Sequence, residues 1–144
     1  MVKVIVGMGN PGLLIGSKNR KVVIYMGLNM YLEKKEADQE EVYWRKANAI
    51  HKWFVDNVQG GVDNCKQYKV TKEDIQRLLT TVHEVLEDHT KAQGLLPPTQ
   101  GFFFGSTDID EWYFEDLQYT ADELAVLLKT FDFEKDDLYY YSSW

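Results

Sequence analysis

The chain reads as an α+β domain, with three main helices packed on a small, mostly antiparallel sheet, and three observations predict this class. Apolar residues recur at helical spacing in three stretches, 41–58, 71–91 and 108–131. Short β-branched and aromatic runs stand between and outside them. The 144 residues contain no internal repeat, low-complexity tract or linker, so a single domain over 1–144 is expected, with 1–25 as an N-terminal extension before Met26.

Residues 2–6, VKVIV, open the chain as a strand-like run, followed by GMGNPG. Gly7, Gly9 and Gly12 match G-x-G-x-x-G in form. No amphipathic helix follows Gly12, however, and no acidic residue stands about 20 positions on, so a dinucleotide site is excluded. VKVIVGMGNPG also resembles the first strand and loop of bacterial peptidyl-tRNA hydrolases. That family continues with a tyrosine and an Arg-His-Asn run, whereas this chain continues LLIGSKNRK and has no histidine before His51, which excludes that activity too. Residues 22–25 and 29–32 are expected to be short strands, and the charged run 33–40 a loop.

EVYWRKANAIHKWFVDNV (41–58) reads as the central helix. Tyr43, Ala47, Ile50 and Phe54 supply its core stripe, and Trp44, Asn48, His51 and Val55 a second, polar-aromatic stripe beside it. Gly60 and Gly61 end it, and VDNCKQ is a turn-rich connection. Thr71 with Asp74 predicts a capping box opening a second helix, whose apolar face is Ile75, Leu78, Leu79, Val82, Val85 and Leu86 and which ends near Lys91. GFFFGST, between Pro97-Pro98 and Asp108, suits a short strand covered on both faces, followed by a hydrogen-bonding turn. Asp108 with Glu111 predicts the start of one long helix to about Phe131, a break at Thr120 being the alternative. The tail FDFEKDDLYYYSSW carries strand formers that either form a hairpin or pair with the strand near Met26.

Composition bounds the function. The net charge is −7, and residues 108–144 hold eleven of the 23 acidic residues but only two of the 16 basic ones. Such a surface disfavours binding to a nucleic-acid backbone and suits a basic protein partner. No apolar run approaches the roughly 20 residues of a membrane span, so no membrane association is expected. The one cysteine, Cys65, fits a reducing, cytoplasmic setting. His51, His83, His89 and Cys65 have no metal-ligand spacing, and neither metal nor cofactor is predicted.

MGLNMYL, WRKANAIHKWFVDNVQGGVDNC and LLPPTQGFFFGSTDIDEWYFEDL together resemble a family of small bacteriophage and prophage proteins to which no activity is attached. The resemblance spans most of residues 26–144. It implies a protein made in the cytoplasm of an infected or lysogenic bacterium, a setting in which small accessory proteins antagonise host defence.

The residues themselves point to one candidate site. Trp44, Arg45, Lys46, Asn48, His51 and Lys52 are expected to face Phe103, Ser106 and Thr107 of the GFFFGST turn, with Glu111 and Trp112 beside them. Arg and Lys offer donors to a phosphate, Asn48 a base-edge pair, and the aromatics a stacking surface. The expected function is therefore non-enzymatic binding of an anionic, nucleotide-like small molecule. An acidic module that inhibits a host protein is the alternative, and self-association is left open. A small enzyme is the second alternative, with His51 as acid or base beside Asp108, Asp110 or Glu111, and Cys65 or Ser106 as nucleophile.

Overall fold

A computed structural model describes residues 27–34, 39–101 and 104–144. The expected strands at 2–6 and 22–25 lie outside these residues, as do Phe102 and Phe103. The fold class is α+β, with four helices and a four-stranded, wholly antiparallel sheet among the described residues. The strands are β1 (Asn29–Lys34), β2 (Gln39–Arg45), β3 (Tyr68–Val70) and β4 (Leu138–Ser143), in the order β2-β1-β4-β3. The helices are α1 (Asn48–Asn57), α2 (Lys72–Glu87), a single turn α3 (Ala92–Leu95) and α4 (Glu111–Thr130).

The tail chooses between its two expected arrangements by pairing with β1 along six residues, from Asn29↔Ser143 to Lys34↔Leu138. Period-two alternation then sorts side chains by face. Val42 and Trp44 of β2, Met30 and Leu32 of β1, and Leu138 and Tyr140 of β4 join the buried residues of α1, α2 and α4 in one core. Tyr43, Tyr31 and Tyr141 form an aromatic row across β2, β1 and β4, with Tyr31 stacked on Tyr141 at 4.7 Å. At the centre of the core, Phe54 of α1 lies flat against Tyr140, with 4.0 Å between ring centroids.

Four expectations are corrected. The stretch 41–58 is not one helix. Its first part is β2, and α1 begins only at Asn48. Lys46, at φ 57°, turns the chain between them, and its N–H donates to the Leu28 carbonyl at 2.8 Å. Val42, Tyr43 and Trp44 are strand formers, and the sheet supplies partners that an isolated helix would lack. The expected loop 33–40 gives up Glu33 and Lys34 to β1 and Gln39 and Glu40 to β2. The GFFFGST segment contributes no strand among its described residues, and the short β3 takes a place in the sheet instead. Finally, α4 is capped by Asp110, whose Oδ1 accepts from the Trp112 and Tyr113 N–H groups, and not by Asp108.

The second helix starts as expected. Thr71 and Asp74 form a reciprocal capping box, but α2 ends at Glu87, where Asp88 caps a short 3₁₀ turn, His89–Lys91. α4 runs unbroken through Thr120. The Thr120 hydroxyl donates to the Asp116 carbonyl at 2.7 Å and accepts from the Trp44 indole N–H at 2.8 Å, tying β2 to α4.

Candidate functional site

Two clefts flank α1, and they divide the residues expected to form one site. The first lies between the β2–α1 turn, the 98–110 loop and the start of α4. It holds about 260 Å³ and is lined by Arg45, Lys46, Asn48, Ser106, Trp112 and Asp116, among others. The second, about 330 Å³, lies between α1, the 99–104 loop and the C-terminus, and is lined by His51, Lys52, Asp63, Phe104 and Trp144, among others. Thr107 lines a shallow groove with Ser106 beside Gly101 and Gly105. Glu111 is exposed in the first turn of α4 and lines neither cleft, and Phe103 lies outside the described residues. Trp44 stands in the core, 2% exposed, with its indole N–H bonded to Thr120 rather than presented as a stacking face.

Asn48 opens α1 and is buried. Its Nδ2 donates to the carbonyls of Phe104 (3.1 Å) and Ser106 (3.0 Å), while its Oδ1 accepts from the Thr99 N–H at 3.0 Å. These three bonds fill most of the capacity of a side-chain amide. Asn48 therefore holds the 99–106 loop onto α1 and is not free to read a base edge. Gly105, at φ +93°, lets the loop pass so close to Lys46 that a Cβ there would sit 3.3 Å from the lysine Cβ. Both sides of this contact have positive φ, a conformation that costs energy at a non-glycine residue such as Lys46.

His51 is 1% exposed and forms part of a buried chain. An ionised Asp63 can only accept, so the 2.9 Å contact assigns the proton to His51 Nε2, and Nδ1 then accepts from the Tyr140 hydroxyl at 2.6 Å. Burial lowers the His51 pKa, with the Asp63 bond opposing, so the neutral ring suits the site. Asp63 also accepts from the Trp144 indole at 3.1 Å, and the Phe104 ring stands edge-on to His51 at 5.4 Å. The carboxylate paired with His51 is thus Asp63, not Asp108, Asp110 or Glu111. Lys52 pairs with Asp56 at 2.8 Å. The polar groups of the second cleft largely satisfy one another, and they join the C-terminus to α1.

The first cleft differs. Among the described residues, neither the Lys46 ammonium nor the Asp116 carboxylate has a hydrogen-bond or ion-pair partner. Burial, with the Glu115 and Asp110 carboxylates nearby, pushes the Asp116 pKa up to about 7. Trp112 stands at the rim with 67% of its surface exposed. Asp110 also lines the cleft but is engaged as the α4 cap, and Ser106 Oγ accepts from the Asp108 N–H at 2.9 Å. The wall further in is the Tyr113 ring, whose hydroxyl donates to the Leu96 carbonyl at 2.7 Å and is pushed up to about 12 by burial. Among the described residues, no three His, Cys, Asp or Glu side chains are grouped to hold a metal ion. Nor is any helix long and apolar enough to cross a membrane.

Asp116 was missed by sequence reasoning, although the signal was present. It falls three residues after Tyr113 and four before Thr120, on the stripe that α4 turns inward, where a carboxylate is out of place.

No family model matches the chain, and neither a curated protein nor a solved structure does.

Proposed function

We propose that the protein is a non-enzymatic binding protein, and that its ligand is a small nucleotide-like molecule seated in the first cleft. The observation that carries this reading is a lysine ammonium and a carboxyl group, Lys46 and Asp116, without partners among the described residues and beside an exposed indole in one concave site. A half-buried carboxylate left without a partner destabilises the fold, and such groups concentrate where a ligand completes them. Lys46 offers donors to an anionic group, with Arg45 lining the same wall. Trp112 offers a face for a planar ring. Sequestering a signalling nucleotide in this way would suit the counter-defence setting implied by the phage resemblance.

The test is a thermal-shift screen of the full chain against nucleoside mono- and triphosphates and cyclic dinucleotides. A binder present at 100 times its Kd should stabilise the fold by about 2.7 kcal/mol, and Lys46→Ala should remove most of that gain. Absence of stabilisation by every compound would overturn the reading. A ligand recovered chemically altered would replace sequestration with catalysis.

One observation favours a second reading. Trp112 is exposed at the start of α4, as are Glu111 and Glu115, a combination that suits an aromatic anchor with an acidic rim for a basic host protein. Trp112→Ala would weaken either kind of binding, whereas Lys46→Ala would leave the protein partner in place.

A further inference from the structure

We infer that the first cleft selects a guanine base, with the Asp116 carboxylate accepting from two adjacent N–H donors on its edge, Trp112 stacking on the ring and Lys46 meeting the phosphate. This inference rests on the binding role proposed above and names the class of ligand. The argument is one of matching donors to acceptors. An ionised carboxylate presents two acceptor oxygens and no donor. Guanine offers N1–H and the N2 amino group side by side, which satisfies both oxygens at once. Adenine and cytosine each place a ring-nitrogen lone pair beside the amino donor, and uracil flanks its single N–H with carbonyls. In each of those cases one carboxylate oxygen would face a lone pair in a partly desolvated site, an arrangement that costs affinity.

The rest of the cleft supports this assignment. The Asn48 amide, the other group suited to bidentate base reading, is already committed to the 99–106 loop. Asp110 is committed to the α4 N-terminus. The cleft volume, about 260 Å³, lies just below the usual range for ligand sites, so it suits a base held inside with its phosphate outside, toward the exposed Lys46.

Protonation provides an independent signature. The charged groups nearest Asp116 are Glu115 and Asp110 of its own helix region, while Asp108 from the loop and Arg45 and Lys46 from the β2–α1 turn line the same cleft, with the Tyr113 hydroxyl engaged elsewhere. In the free protein it is about half protonated near pH 7. Guanine needs the ionised form, so its binding should expel a proton and strengthen as pH rises from 6 to 8. A protonated carboxyl, one donor and one acceptor, matches adenine instead, so adenine binding should weaken over the same range.

The experiment is calorimetric titration of the full chain with GMP and with AMP, at pH 6 and pH 8, in two buffers of different ionisation enthalpy. The expected result at pH 8 is GMP binding at least about tenfold tighter than AMP, the effect of one well-made hydrogen bond, and at pH 6, where Asp116 is largely protonated, release of a proton on binding GMP. Asp116→Asn keeps the shape but presents one donor and one acceptor, the pattern that pairs with adenine. It should bring the preference to parity or invert it, and circular dichroism would verify its fold. Equal affinities at pH 8, or a preference unchanged in Asp116→Asn, would overturn base selection. If both nucleotides bind equally and Lys46→Ala weakens both, the binding role survives without the guanine assignment. If neither binds, the guanine assignment falls, and the binding role falls with it only if the triphosphates and cyclic dinucleotides also fail to stabilise the fold.

Discussion

A carboxylate on the inner stripe of α4 is a stability cost, and its direction is measurable. Asp116 is raised in the fold from an unfolded-chain value of 3.8 to about 7. Between those values the native state holds the proton that the unfolded chain has lost. The contribution of Asp116 to stability is therefore complete below pH 4 and is lost as pH rises through 7. Unscreened, three pH units correspond to about 4 kcal/mol. Partial solvent access at the cleft brings the expected effect nearer about 2 kcal/mol. Asp116→Asn, which never ionises, should match the parent near pH 4 and exceed its stability by about 2 kcal/mol at pH 8, as measured by urea denaturation across that range. A difference that does not vary with pH would show that Asp116 is not perturbed by the cleft. His51 is the contrasting residue. It is buried and bonded at both nitrogens, to Tyr140 and Asp63, so it is better suited to positioning the C-terminus than to acting on a ligand.

The decisive element is the loop between α3 and α4, because it walls both clefts and has no regular secondary structure among its described residues. Asn48 ties it to α1. Asn48→Ala would leave the Phe104 and Ser106 carbonyls and the Thr99 N–H without their partner, at about 1–3 kcal/mol for each group that stays dry. Water reaches the more exposed groups, so a loss of about 3 kcal/mol overall is expected, together with faster amide exchange across 99–106. A loss under about 1 kcal/mol would mean that the loop is held by other contacts.

Elements also show how much of the fold was legible. The Thr71–Asp74 box, the inward stripe of α2 and the long α4 could be read because their signals are local: a cap, then unbroken 3.6-residue periodicity. The stretch 41–58 could not. Tyr43, Ala47, Ile50 and Phe54 are all buried, as a helical stripe would require, but the first sits in a strand and the others follow a turn made at Lys46, a residue type that does not announce positive φ. With the helix split, Trp44 went to the core and Asn48 to the loop, while Arg45 and Lys46 remained at the first cleft. Partners set by tertiary packing, such as Asp63 for His51, leave no trace in local spacing.

At the scale of the molecule, the sheet presses its core face against α1, α2 and α4, and the two clefts open on either side of α1. Their chemistry divides in the same way. One cleft consists of groups that largely satisfy each other, whereas the other leaves a cation, a carboxylate and an indole without partners among the described residues. The four tryptophans report on this division: Trp44 and Trp53 are buried, Trp112 is at the first cleft and Trp144 at the second. The most direct measurement is therefore an NMR titration of the full chain with GMP, following the four indole N–H resonances. The Trp112 resonance should shift with saturation while those of Trp44, Trp53 and Trp144 stay in place. A shift of Trp144 with Trp112 unmoved would put the ligand beside His51 and contradict the account.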